Sequence, residues 1–265
     1  MERTDVVILV NSTPKYYYIL EFFFGMLRRY APDLKWDLVF ATEERNHPVC
    51  KRLEQKYNVQ ILDIPVESSG FLNSRCKALQ MLVGKYAYCL PLQDDFILEG
   101  SMNAFVIEKL FDYFAADPKL VSARLMPCPG PVSQELVYPF WAPIGRNDEY
   151  KFVFQATLWK TEACLEWYSR ICGVLDIMAP VDTTHASRRF QIELKENIAE
   201  NRIGQDVFSE WSEERGYKHI AWIRKGPWSN AVYLCPFPYR PTAIVRGKLE
   251  GWAEDLAKRE GFILN

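Results

Sequence analysis

The sequence predicts an α/β chain: a doubly wound, mostly parallel sheet with helices on both faces, continued by a less regular second half. Three observations carry this. Strand-like and helix-like runs alternate over the first 95 residues. The first apolar run, Val6-Val7-Ile8-Leu9-Val10, is the uninterrupted kind that suits a strand buried on both faces. Each strand-like run ends in a polar turn. Strands alternating with helices imply parallel neighbours joined by right-handed crossovers.

The elements follow in order. Val6–Val10 ends at Asn11-Ser12-Thr13-Pro14, where Thr13 suits an N-cap and Pro14 a first helical position, so a helix is expected to Tyr30. Leu38-Val39-Phe40 is the second strand, Pro48 to Tyr57 a helix, and Val59 to Ile64 the third strand. Ser69-Gly70 opens a helix over Leu72–Leu82, and Tyr86 to Leu92 is the fourth strand, ending at Gln93-Asp94-Asp95. Beyond it, Ala104–Phe114 and Thr161–Cys172 read as helices, Leu120–Leu125 and Phe152–Gln155 as strands. Five prolines between 127 and 143 mark an irregular loop. Arg189–Glu214 reads as a carboxylate-rich helix, Lys218–Ile223 as a strand, and Leu249–Arg259 as a final helix stopped by Gly261. With no repeat and no linker, one domain over 1–265 is expected, with a nucleotide-binding half at 1–100 and an acceptor-side half at 101–265.

Composition narrows the function. Apolar residues make up 49% and charged residues 25% of 265 residues, a globular mixture that excludes disordered and collagen-like chains. A net charge of −2 argues against nucleic-acid binding through bulk charge. Seven cysteines, an odd number without a Cys-x-x-Cys pair, suit a reducing compartment better than a disulfide framework or a zinc ribbon. The charged start lacks a secretory signal, and Tyr16–Leu27 is shorter than the roughly 20 residues a membrane span needs. A cytoplasmic protein without a transmembrane segment is expected.

In an open parallel sheet ligands bind beyond the carboxyl ends of the strands. Here that edge carries Asn11, Ser12, Thr42, Glu43, Glu44, residues 65–70, Gln93, Asp94 and Asp95, and neither a G-x-G-x-x-G nor a P-loop pattern. Asp94-Asp95 is its sharpest feature. Adjacent carboxylates at a strand end repel each other unless something offsets them, and a hard cation such as Mg²⁺ or Mn²⁺ does so beside substrate phosphates. A solvated Asp-Asp turn is the plain alternative.

The run Ser69-Gly70-Phe71-Leu72-Asn73-Ser74-Arg75-Cys76-Lys77-Ala78-Leu79, followed by Gln93-Asp94-Asp95 where a D-x-D motif would fall, resembles the GT-A glycosyltransferases that use nucleotide sugars. Phe154-Gln155-Ala156-Thr157-Leu158-Trp159 is similar to a stretch of some bacterial and giant-virus members, whereas the frequent Q-x-x-R-W motif is absent. The resemblance implies a GT-A fold, a metal-dependent transferase and a nucleotide-sugar donor, UDP being favoured. It implies Asn11, Ser12, Thr42 and Glu43 at the nucleobase, Asp94 at the ribose and Asp95 on Mn²⁺ or Mg²⁺. Arg75 would meet the diphosphate or Asp94.

Transfer with inversion also needs a carboxylate to deprotonate the acceptor hydroxyl of a glycan or similar molecule. Phe190-Gln191-Ile192-Glu193 is loosely similar to a family stretch, which makes Glu193 the first candidate, Glu196 the second and Asp182 the third. A solvated acidic helix is the rival explanation. Some members of the family the sequence resembles use a late His as an additional metal ligand, which offers His185 for that role, with a satisfied loop histidine as the favoured alternative. Arg246 and Lys248, flanking Gly247, suit phosphate oxygens, and Tyr138, Phe140, Trp141 and Trp159 offer rings for a sugar to pack on. A nucleotidyltransferase of related fold and a non-catalytic glycan-binding protein are the alternatives.

Overall fold

The computed structural model describes residues 3–65, 70–126, 131–133, 135–154, 156–178, 202–223 and 235–264. Its first half follows the expected alternation. Strands β1 (Val6–Asn11), β2 (Asp37–Thr42), β3 (Val59–Asp63) and β4 (Tyr88–Gln93) alternate with helices α1 (Leu20–Tyr30), α2 (Pro48–Tyr57) and α3 (Phe71–Leu82). Pro48 starts α2 because its missing N–H has no partner at that position anyway. Asn58, left-handed at φ 52°, ends it.

Then come β5 (Ile97–Leu98), α4 (Ala104–Ala116), β6 (Leu120–Arg124), β7 (Trp141–Pro143) and β8 (Thr157–Lys160). Helices α5 (Thr161–Met178) and α6 (Arg202–Arg215) precede β9 (Lys218–Trp222). The short strands β10 (Tyr239–Arg240), β11 (Ile244–Val245) and β12 (Lys248–Leu249) lead into α7 (Gly251–Arg259). Among the described residues eight strands form one sheet in the order β3-β2-β1-β4-β8-β6-β9-β7. Only β8 and β7 run against the others. The architecture is thus the α/β, mostly parallel one expected, and the sheet passes through both halves of the chain.

The pleat explains the apolar first strand. Val6, Ile8 and Val10 point into a core shared with α1 and α4, while Val7 and Leu9 point into a second core with α3, α5 and α6. Both faces are covered, so neither set of alternating positions can be polar.

Several boundaries differ from expectation. Thr13 makes no side-chain cap, and Pro14–Ile19 is a 3₁₀ turn that leads into α1. Of the strand expected over Phe152–Gln155, Phe152, Val153 and Phe154 are in none and Gln155 lies outside the described residues; the strand lies at Thr157–Lys160. The reason is a contact from α6: the Gln205 amide donates to Phe152 O at 2.7 Å and accepts from Phe152 N at 2.9 Å, so that backbone is unavailable to a sheet. Phe152 also packs its ring 5.0 Å from Trp167. The proline-rich loop contains β7, an edge strand, where Pro143 is tolerated.

Buried His219 on β9 locks β6 to α6. Ser212 donates its proton to Phe208 O (2.7 Å), so it accepts from Nε2–H of His219 (3.0 Å). The other ring nitrogen, Nδ1, then accepts from Ser122 at 2.7 Å. Phe208, Trp159 and Trp211 surround the ring, and burial pushes its pKa down to about 3. The unfolded chain takes up this proton near pH 6.5. Between the two values the unfolded state binds more protons, so this contribution is complete above pH 6.5 and is lost as pH falls. We expect a loss of about 2 kcal/mol from this group at pH 5. Urea denaturation at pH 7 and pH 5 measures it, with His219→Gln as reference. An equal acid-induced loss in that variant contradicts the assignment.

Candidate active site

Parallel pairing brings the carboxyl ends of β1, β2 and β4 to one edge. Asn11 stands beside Ala41 on one side and Gln93 on the other. The chain then turns sharply, with Phe96 N donating to Gln93 O at 3.3 Å and Asp94 and Asp95 at the turn's centre. After the turn, β5 pairs with β10. Ala243 N also donates to Asp95 O at 2.7 Å, which ties the β11–β12 hairpin to the aspartate turn.

Both aspartates are half-buried, and Oδ2 of Asp94 is wholly buried with no hydrogen-bond partner among the described residues. Burial pushes the Asp94 carboxyl up to about 6, against a hydrogen bond from Ser12 and the charge of Arg75. Burial and the neighbouring Asp94 push Asp95 up to about 7. An ionised carboxylate oxygen left without a donor is costly, and a divalent cation is one way to compensate it. Among the described residues no three His, Cys, Asp or Glu side chains converge. A cation held here would take one or two carboxylates from the described residues and its remaining positions from water and phosphate oxygens. That is how Mg²⁺ and Mn²⁺ are usually held beside phosphates, so the residues fit such an ion.

Three of the expected ligand contacts form the floor of the site instead. Arg75 is fully buried on the sheet-facing side of α3. It donates to Leu92 O at 2.7 Å, to Asn11 Oδ1 at 3.2 Å and to the Tyr168 hydroxyl at 3.4 Å, and its guanidinium lies 4.4 Å from the Phe71 ring centre. It thus joins β1, β4 and α5 and reaches no surface where a diphosphate would bind; its charge acts on Asp94 through the protein. Asn11 is 4% exposed, and its amide nitrogen donates to Ser74 Oγ at 2.9 Å. Thr42 is fully buried, and its hydroxyl bonds Tyr17 and accepts from Glu44 N at 2.9 Å. Ser12 and Glu43 remain at the surface of the edge, half-buried, and burial raises the Glu43 carboxyl.

The hairpin turn places Arg246 at φ 51° and Gly247 at φ 76°. A Cβ at Gly247 would stand 2.7 Å from Lys15 Nζ and 3.9 Å from the Tyr16 hydroxyl. The turn therefore rests on the segment that follows β1. Tyr18, raised mainly by burial, feels the charge of Asp94 and lies on the same side. Lys15, Arg246 and Lys248 are exposed, and none is paired with a carboxylate among the described residues. Lys15 and Tyr18 were not singled out from sequence, although a basic residue just past a strand's carboxyl end is a usable signal.

Gly247→Ala should displace the Lys15 ammonium and strain the turn, the backbone part costing about 1 kcal/mol. We expect nucleoside diphosphate affinity to fall several-fold with little change in Tm. Calorimetric titration checks this, and unchanged affinity would separate the hairpin from the ligand.

Of the four rings expected to receive a sugar, Trp141 and Trp159 are core residues. Tyr138 stacks on Tyr113 with ring centres 4.0 Å apart, and Phe140 is 39% exposed. Glu193, Glu196, Asp182 and His185 lie outside the described residues.

No family model matches the sequence, and no curated protein matches it either. Solved structures do. The fold is similar to 4-diphosphocytidyl-2C-methyl-D-erythritol synthase from Anaerococcus prevotii, at 10% identity and TM-score 0.43 over 86% of this chain and 95% of that one. It is also similar to the glycosyltransferase GlyE of Streptococcus pneumoniae, at 14% identity and TM-score 0.44 over 82% of this chain and 45% of that one. A third likeness is to S. aureus TarS, at 13% identity and TM-score 0.41 over 72% of this chain and 55% of that one. The chain thus spans about half the length of GlyE and of this TarS chain. These likenesses concern the path of the backbone. No helix among the described residues is long and apolar enough to cross a membrane.

Proposed function

We propose that the chain is a metal-dependent glycosyltransferase that moves a sugar from a nucleoside diphosphate donor to an acceptor hydroxyl. One observation carries the reading: a buried carboxylate oxygen of Asp94, without a hydrogen-bond partner among the described residues, sits in a turn that Ala243 N ties to the β11–β12 hairpin, and Lys15, Arg246 and Lys248 pair with no carboxylate among the described residues. Carboxylates together with ammonium and guanidinium groups suit a phosphate chain with its cation. Asp95, with Asp94 beside it, would hold Mn²⁺ or Mg²⁺; when bound, the ion neutralises the diphosphate as it leaves. Lys15, Arg246 and Lys248 bind phosphate oxygens and so stabilise the leaving group. Ser12 and Glu43 face the nucleobase end. The sequence resemblance favours UDP, and inversion with Glu193 or Glu196 as the base remains part of the proposal.

Lys15, just past β1 and against the hairpin, also suits the longer phosphate chain of a nucleoside triphosphate, which keeps nucleotidyl transfer as a second reading. One assay separates the two. Nucleoside diphosphate sugars are incubated with Mn²⁺ or with EDTA, and released nucleoside diphosphate is measured; nucleoside triphosphates with sugar phosphates are assayed for pyrophosphate. Metal-dependent release from a sugar donor is the expected result. Pyrophosphate alone would overturn it in favour of nucleotidyl transfer, and binding without turnover of any donor would leave a glycan-binding protein.

A further inference from the structure

A cleft of about 680 Å³ opens at the other end of β2, between the loop that precedes the strand and the end of α2. Asp37, on its wall, begins β2, whereas Thr42, at the candidate active site, ends it. The strand holds the two about 17 Å apart. Arg28, Lys35 and Lys56 line the cleft, with Asp37 as the one carboxylate among its lining residues. The Arg28 guanidinium ties the two walls together. Its Nε and Nη2 donate to Tyr57 O at 3.1 and 2.9 Å, and its Nη1 donates to Leu34 O at 3.4 Å. We propose that this cleft binds a small phosphomonoester, a phosphate dianion carried on an organic body.

The charge around the cleft is uncompensated. Arg28 is half-buried and bonds only to carbonyls, so it pairs with no carboxylate among the described residues, and neither does Lys35. Burial lowers the Arg28 pKa from its ordinary value, as expected of a cation without an offsetting anion. Each terminal nitrogen of Arg28 keeps one further N–H to donate. Lys56 shares Glu21 with Arg52, at 3.4 and 2.6 Å, so one carboxylate serves two cations. Asp37 already accepts from the Tyr86 hydroxyl. Three cations facing one carboxylate suit a phosphate dianion better than a single negative charge. The volume is that of a small-molecule site and exceeds what a bare phosphate fills, and Trp36 and Tyr57 add aromatic walls for an organic body.

Helix ends offer a rival explanation. Arg28 and Lys56 stand in the last turns of α1 and α2, where the carbonyl dipoles favour cations with or without a ligand. Lys35 belongs to no helix, yet its exposed side chain lines the same cleft. The helix-end account gives Lys35 no role, so Lys35 is the residue that decides. The proposal does not depend on the proposed activity.

The whole protein is titrated calorimetrically with phenyl phosphate and with phenol, its uncharged counterpart. EDTA is present so that no cation bridges the probe to the aspartate turn. We expect phenyl phosphate to bind and phenol not to. Lys35→Glu, at an exposed position, should weaken that binding about tenfold with circular dichroism and Tm unchanged. Bound phenyl phosphate should also slow acetylation of Lys35, read by peptide mass spectrometry. The proposal fails if phenyl phosphate does not bind at millimolar concentration, if phenol binds as tightly, or if Lys35→Glu binds as the wild type does. It also fails if Lys248→Glu, on the β11–β12 hairpin, removes the binding while Lys35→Glu does not, since the anion then sits at the aspartate edge.

Discussion

Asp95→Asn is expected to lower donor turnover by about 10²–10³-fold while the fold survives. Asp95 is half-buried in a turn, so an amide of the same shape leaves the packing intact. What the amide lacks is the charge that binds a hard cation, and Asp94 alone then has to serve. Because burial already raises both carboxyls toward neutrality, the folded protein gains by losing one of them when no cation is present. The variant should therefore melt at or above the wild-type temperature while its turnover collapses. Turnover with Mn²⁺ and thermal melting are measured side by side. Near wild-type turnover would remove Asp95 from the site, and a collapsed Tm would turn it into a structural residue.

Arg75→Met should have the largest effect on stability, a loss of about 3 kcal/mol or more. The guanidinium satisfies Leu92 O, Asn11 Oδ1 and the Tyr168 hydroxyl from one buried position. Methionine fills the volume but leaves those groups without their donor, and each buried polar group so stranded costs about 1–3 kcal/mol. Arg75→Lys should rescue little, because one ammonium cannot span the three acceptors of a planar fork. The variant should also weaken metal-dependent nucleotide binding without touching the ligand, since Arg75 helps keep the Asp94 carboxyl ionised. Denaturant unfolding reads the first effect. A loss below about 1 kcal/mol would show that the bonds are replaced by water.

The sequence announced the aspartate turn because two carboxylates interrupt apolar runs at a strand end, and the first four strands because their apolar runs are long and evenly separated. Of the two partners the sequence offers Arg75, the diphosphate and Asp94, its charge acts on the second, and its spacing with Leu72, Leu79 and Leu82 puts it on the apolar stripe of α3, away from the first. Thr42 could not be read so, since its hydroxyl is taken by Tyr17 from a distant segment. The contact between Lys15 and the Gly247 turn likewise joins opposite ends of the chain, and no local pattern encodes it. Phe152–Gln155 was mistaken for a strand because alternating aromatics fit that period, whereas the Gln205 amide that occupies the backbone of Phe152 comes from another helix.

The most direct measurement is a calorimetric titration of the wild-type protein with UDP and the other nucleoside diphosphates, each with Mn²⁺ and with EDTA. If Asp94 and Asp95 share a cation with a diphosphate held by Lys15, Arg246 and Lys248, at least one nucleotide binds at least tenfold more tightly with the metal. Equal affinity in both conditions, or no binding of any nucleoside diphosphate, would contradict the account.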